Sequence, residues 1–143
     1  MNIMKQNDYV SYYDNIAVQV ISGEAHLYTV RELCTGIIAH KVRCKHISLM
    51  IKGVLEAIGF KEVDDAPIFE CVLSNQYTTI FITYSIKPFN RECKITSIDG
   101  GILGAQHIVM LDNLQDFIRD NTSLELNVDE KALIEAVKIN QYR

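Results

Sequence analysis

"PIFECVLSNQYTTIFITYSI", residues 67–86, decides the fold class. Two runs rich in β-branched and aromatic residues, Pro67 to Ser74 and Thr78 to Ile86, flank Asn75, Gln76 and Tyr77, residue types suited to a hairpin connection. In the second run Ile80, Ile82 and Tyr84 project one way and Thr79, Phe81 and Thr83 the other, because side chains alternate along a strand. One of those faces is expected to meet helices.

Reading onward, Pro88 ends the second strand, since proline cannot donate to a sheet ladder. "CKITSI", Cys93 to Ile98, continues the meander and runs into the turn residues Asp99, Gly100 and Gly101. "HIVML", residues 107–111, is a short strand or buried segment. Asp112 is placed to cap a helix with Leu114, Phe117 and Ile118 on its apolar side, and Asp129 to cap another with Leu133, Ile134 and Val137.

Reading back from the hairpin, "IAVQVIS", Ile16 to Ser22, forms a first strand. "TVRE", Thr29 to Glu32, has the spacing of a capping box, with a hydroxyl followed three residues later by a carboxylate. Leu33, Ile37, Cys44, Ile47, Ile51, Leu55 and Ile58 then recur at helical spacing. The expectation is two helices, or one interrupted near residues 40–43, ending at Gly59 as a left-handed C′ residue with Phe60 folded back. The resulting fold is α+β and two-layered: an antiparallel-rich sheet of four or five strands with helices packed on one face. At 143 residues, a single domain over 1–143 is expected.

Composition sets the outer bounds. An apolar fraction of 48% with 22% charged residues belongs to globular chains and excludes a disordered class. Apolar runs break well before the roughly 20 residues needed to span a bilayer, and "MNIMKQNDYVSYYDN" has no signal-peptide h-region. A cytoplasmic protein without membrane association is the expectation. Cys34, Cys44, Cys71 and Cys93 follow no zinc spacing and, apart from Cys44, lie in apolar surroundings, so they read as free core or near-core thiols.

Charge is unevenly distributed within a net of −4. Lys41, Arg43, Lys45 and Lys52 fall in a stretch with no acid, whereas Asp112, Asp116, Asp120, Glu125, Asp129 and Glu130 are opposed by Arg119. Seven tyrosines include Tyr9, Tyr12 and Tyr13 beside Asp8 and Asp14. Tyrosine supplies large contact area at low entropic cost. Together with Asp112, Asp116, Asp120 and Glu125, these three tyrosines form the expected protein-binding set. That pattern suits a protein-interaction module, of the acidic inhibitor or immunity type, that neutralises a basic protein partner.

Two rival readings remain. A nucleic-acid binder would use Lys41, Arg43 and Lys45 in "AHKVRCKH", residues 39–46, and would need all three on one outward face. A solvated interhelical turn explains the same charges, the chain is net acidic, and no basic strip interleaved with exposed aromatics is expected. His40 and Cys44 would share a helix face, but with His46 pointing elsewhere no complete zinc set forms, so no metal is assigned. A small cofactor-free enzyme would draw on His107, His26, Glu24, Asp99 and Cys93, with His107 near Asp99 or Asp112 as its His/Asp pair.

Overall fold

A computed structural model describes residues 4–13, 16–49, 51–63, 68–87 and 90–140. The first sheet has the order β1 (Tyr9–Tyr12), β2 (Ile16–Glu24), β3 (Leu27–Glu32), β4 (Ile38–Val42), all antiparallel. Helix α1 (Lys52–Ala57) leads to the second, antiparallel sheet: β5 (Lys61–Glu62), β6 (Ile68–Ser74), β7 (Thr79–Ser85), β8 (Glu92–Ser97) and β9 (Ile102–His107), adjacent in that order. Helices α2 (Leu111–Asn121) and α3 (Glu130–Asn140) complete the chain. This is a two-layer α+β fold of antiparallel sheets with helices packed on one face. The expected strands are distributed over two sheets, of four and five.

The β6–β7 hairpin forms as its alternation requires. Ser74 pairs with Thr79, and the Asn75 carboxamide oxygen accepts from the backbone N–H groups of Tyr77 (2.8 Å) and Thr78 (2.9 Å), closing the turn. Ile80, Ile82 and Tyr84 are buried with Phe69, Cys71 and Leu73 against the helices, while Phe81 and Val72 lie on the outer face. The Tyr84 hydroxyl donates to the Ile108 carbonyl at 2.6 Å, so its polar end is satisfied inside the core. Pro67 and Pro88, expected at the ends of these strands, lie outside the described residues.

The helix expected from Thr29 is not formed. Residues 27–32 are strand β3, in which Tyr28 and Val30 point into a small core and Thr29 reaches across to His40 on β4. Gly36, at φ +76°, supplies the turn: its N–H donates to Glu32 O at 2.8 Å, and the Glu32 N–H donates to Ile37 O at 2.9 Å. The capping-box residues therefore close a hairpin. Long-range pairing with β2 supplies main-chain partners that a helix would have found locally.

Only the end of the expected helical region is helical. Gly59 has φ +100°; its N–H donates to Glu56 O at 3.1 Å, and the Phe60 N–H reaches Leu55 O at 3.0 Å. That is a Schellman ending, and Phe60 is buried as expected. Asp129 caps α3 through the Ala132 N–H, 3.1 Å away. Asp112 does not cap α2: Met110 is the N-cap residue, and Asp112 lies inside the first turn with its side chain buried.

Two cores result. The larger joins the inner face of the second sheet to α1, α2 and α3. The smaller comprises Met4, Val10, Val18, Val20, Tyr28 and Val30, with Tyr12, Ile16, Ala39, Val42 and Cys44 packed against it. The chain leaving β4 returns to β1, where Ser11 and Lys45 exchange two backbone hydrogen bonds of 2.9 and 2.8 Å. The Tyr28 ring packs against Gly23, so close that a Cβ there would lie 2.4 Å from it.

Candidate functional site

The return of residues 43–45 to β1 builds the site. Lys41, Arg43 and Lys45 are exposed, whereas Val42 and Cys44 between them are half-buried against the small core. Past Lys41, which at φ 55° bends β4, the extended chain with Val42 and Cys44 anchored inward turns Arg43 and Lys45 outward. The interhelical turn expected here is thus replaced by a strand and its extension.

Tyr12 and Tyr13 stand at the end of β1, beside the same extension. Their ring centroids are 4.1 Å apart at an interplanar angle of 31°, and Tyr13, at φ 58°, is 70% exposed. A hydrogen bond with Tyr13 is the main cause of the Tyr12 phenol titrating above its ordinary value. Tyr12, Tyr13, Lys41, Arg43 and Lys45 line one depression of about 430 Å³, floored by Val42 and Cys44. Basic residues and exposed aromatics are therefore interleaved here, contrary to the expectation from sequence. Among the described ion pairs none involves Lys41 or Arg43. Burial pushes the Cys44 thiol up to about 11, which keeps it protonated and makes it a wall rather than a nucleophile or thiolate ligand.

The remaining members of the expected protein-binding set lie elsewhere. Tyr9 donates its hydroxyl to Glu130 at 2.9 Å, and Glu130 also receives Arg31. Arg119 is a hub: its Nη1 reaches Asp8 at 2.6 Å and Asp116 at 3.4 Å, and its Nε reaches Glu125 at 3.1 Å. Lys5 stands 3.6 Å from Asp116. Asp112 bonds the His46 Nδ1 at 2.8 Å through a carboxylate that is 1% exposed. Asp120 is exposed on α2. Asp14 lies outside the described residues. Within the acidic segment Asp112 is buried and Asp116 and Glu125 are paired with Arg119, while Asp120, Glu125 and Asp129 remain exposed.

The five candidate enzyme residues do not converge on one site. Glu24 ends β2 and His26 lies in the two-residue tip of the β2–β3 hairpin; Asp99 lies in the β8–β9 turn, where Ser97 and then the Gly101 N–H hold its carboxyl below the usual range. Cys93 is buried, its thiol pushed up to about 12, and His107 is exposed at the end of β9. The His/Asp pair that does form joins His46 to Asp112, not His107. Cys34, expected near the core, is exposed in the β3–β4 turn. Among the described residues, no three His, Cys, Asp or Glu side chains gather as metal ligands, and no helix is long and apolar enough to cross a membrane. No family model matches the sequence, and comparisons with curated proteins and with solved structures find no match.

Proposed function

We propose that this protein binds single-stranded nucleic acid at the Tyr12–Tyr13 and Lys41–Lys45 surface. One observation carries the reading: three exposed cations and a tilted tyrosine pair, one ring largely exposed, surround a single depression. Every base has a π-face that can stack on Tyr13, and the ammonium and guanidinium groups of residues 41–45 complement the phosphates on either side. The net charge of −4 does not oppose this. Asp8, Asp116 and Glu125 meet Arg119, and Glu130 meets Arg31. At physiological salt a charge is felt over only about 8 Å.

The acidic-inhibitor reading has less support, because of its four carboxylates Asp112 is buried on His46 and Asp116 and Glu125 already meet Arg119. Fluorescence anisotropy with labelled single-stranded RNA and DNA oligonucleotides, titrated over salt, tests the proposal. Three phosphate contacts give a slope of log K against log salt of about −2. Arg43→Ala should reduce that slope by about 0.7. Tyr13→Ala should weaken binding by about 1–3 kcal/mol, while Tyr13→Phe leaves it nearly intact. Absence of binding at low salt, or binding indifferent to Tyr13, defeats the proposal.

A further inference from the structure

The fold treats its sheet edges unequally. At one end of the second sheet, β5 is two residues long and both are charged, Lys61 and Glu62, a device that blunts an edge. In the first sheet, Lys45 pairs with the outer side of β1, and Lys41 at φ 55° bends β4. Strand β9, "ILGAQH", differs: it is six residues long and pairs with β8 alone, with no proline, lysine, arginine or carboxylate. Its bulge leaves Gly104–His107 in regular register with Ile95–Glu92. Among the described residues no backbone group outside β8 bonds to residues 102–107 on the outer edge.

Beside this edge lies an apolar row. Val72 faces Phe81 across the strands, Phe81 faces Thr96, and Thr96 faces Ile102, all on the outer face of the sheet. Ile102 is 65% and nearby Ile98 73% exposed.

We infer that β9 pairs antiparallel with β9 of a second copy of this chain, joining the two five-stranded sheets into one. An open strand edge offers alternating N–H and C=O groups, exposed to water in the single chain, that another extended backbone can pair in register. A second copy presents the same uncharged edge in a self-complementary arrangement about a two-fold axis. Charge also permits it. With the axis at Ala105, Lys94, the cation paired with Ala105, is three strand spacings from its symmetry mate, roughly 14 Å and beyond the Debye length. In that register Leu103 faces His107 of the other copy, without bringing like charges together.

Sedimentation equilibrium on the whole chain tests this. The expected result is a concentration-dependent species of twice 16.3 kDa. Leu103→Lys and Ala105→Lys should return it to the monomer mass, while Phe81→Lys, on the same face but away from the edge, leaves the dimer in place. Hydrogen exchange guards against variants that merely unfold: amides of β9 in the wild-type chain should slow as concentration rises, with those of β7 unchanged. A wild-type monomer at every concentration overturns the inference. So does a dimer that survives both edge substitutions, or one lost only with Phe81→Lys.

Discussion

Asp8 is a buried carboxylate with two charged neighbours, Arg119 and Asp116. Its side chain is fully enclosed, accepts the Lys5 N–H at 2.7 Å, and meets Arg119 at 2.6 Å. Burial nevertheless outweighs both bonds and pushes its carboxyl up to about 6, with Asp116 adding to the rise. The folded chain therefore holds this proton more tightly than the unfolded chain does. The resulting stabilisation is complete below the unfolded value near 4 and disappears as pH rises through about 6. Asp8→Asn removes that dependence. Between pH 7 and pH 4 the wild type should gain stability relative to the variant by about 2 kcal/mol, measured as the difference between their urea unfolding free energies. A constant difference across that range would show that Asp8 titrates normally. Asp116, also raised by burial, contributes in the same direction, and because it shares Arg119 with Asp8 the measured difference belongs to the pair.

At the scale of elements, legibility followed the range of the interactions. The β6–β7 hairpin was readable because Ile80, Ile82 and Tyr84 alternate with Thr79, Phe81 and Thr83, and the turn is stabilised by Asn75, one of the residues between the runs. Residues 29–42 were misread because a capping box is a local pattern, whereas Val30 earns its strand by pairing with Val20 and Ala39. Gly36, near the start of the supposed helix, was the available signal. The same error hid the candidate site: Arg43 and Lys45 share an outward face only in an extended chain, and the Lys45–Ser11 pairing brings them, with Lys41 at the bend before them, to Tyr12 and Tyr13. The β2–β3 hairpin carries a further mark of constraint. Its two-residue tip, Ala25 and His26, has φ of 52° and 69°, the left-handed region required by a type I′ turn but unfavourable for these side chains. Replacing the pair, Ala25→Asn with His26→Gly, should stabilise the protein by about 1 kcal/mol, seen as a higher denaturant midpoint at unchanged m-value. A lower midpoint would mean that His26 makes a contact worth more than the strain it carries.

For the whole molecule, the relation between the two cores governs how the chain opens. The larger core spans the second sheet and all three helices, whereas the smaller contains six buried residues. The seam between the first sheet and the helices includes Ala17, Tyr9 and Leu33 but is otherwise markedly polar. Gln115 on α2 accepts the Tyr9 N–H at 2.9 Å and donates to Asn7 O at 3.2 Å; Arg31 and Tyr9 share Glu130, and Arg119 holds Asp8. A cavity of about 260 Å³ lined by Gln19, Gln115 and Arg119 lies along it. Such a seam gains less from burial than an apolar one of equal extent, and its strength depends on a few paired charges. The first sheet should therefore open as a unit at lower free energy than β6–β8, measured by native-state hydrogen exchange. Arg119→Ala leaves Asp8 enclosed without its cation and should lower the opening free energy of β1–β3 amides by about 2 kcal/mol, with β6–β8 changing less. Equal protection in both sheets, falling equally in the variant, would instead show that the polar seam binds the chain into one cooperative unit. In that case Arg119 would act on global unfolding rather than on the sheet carrying the Tyr13 surface.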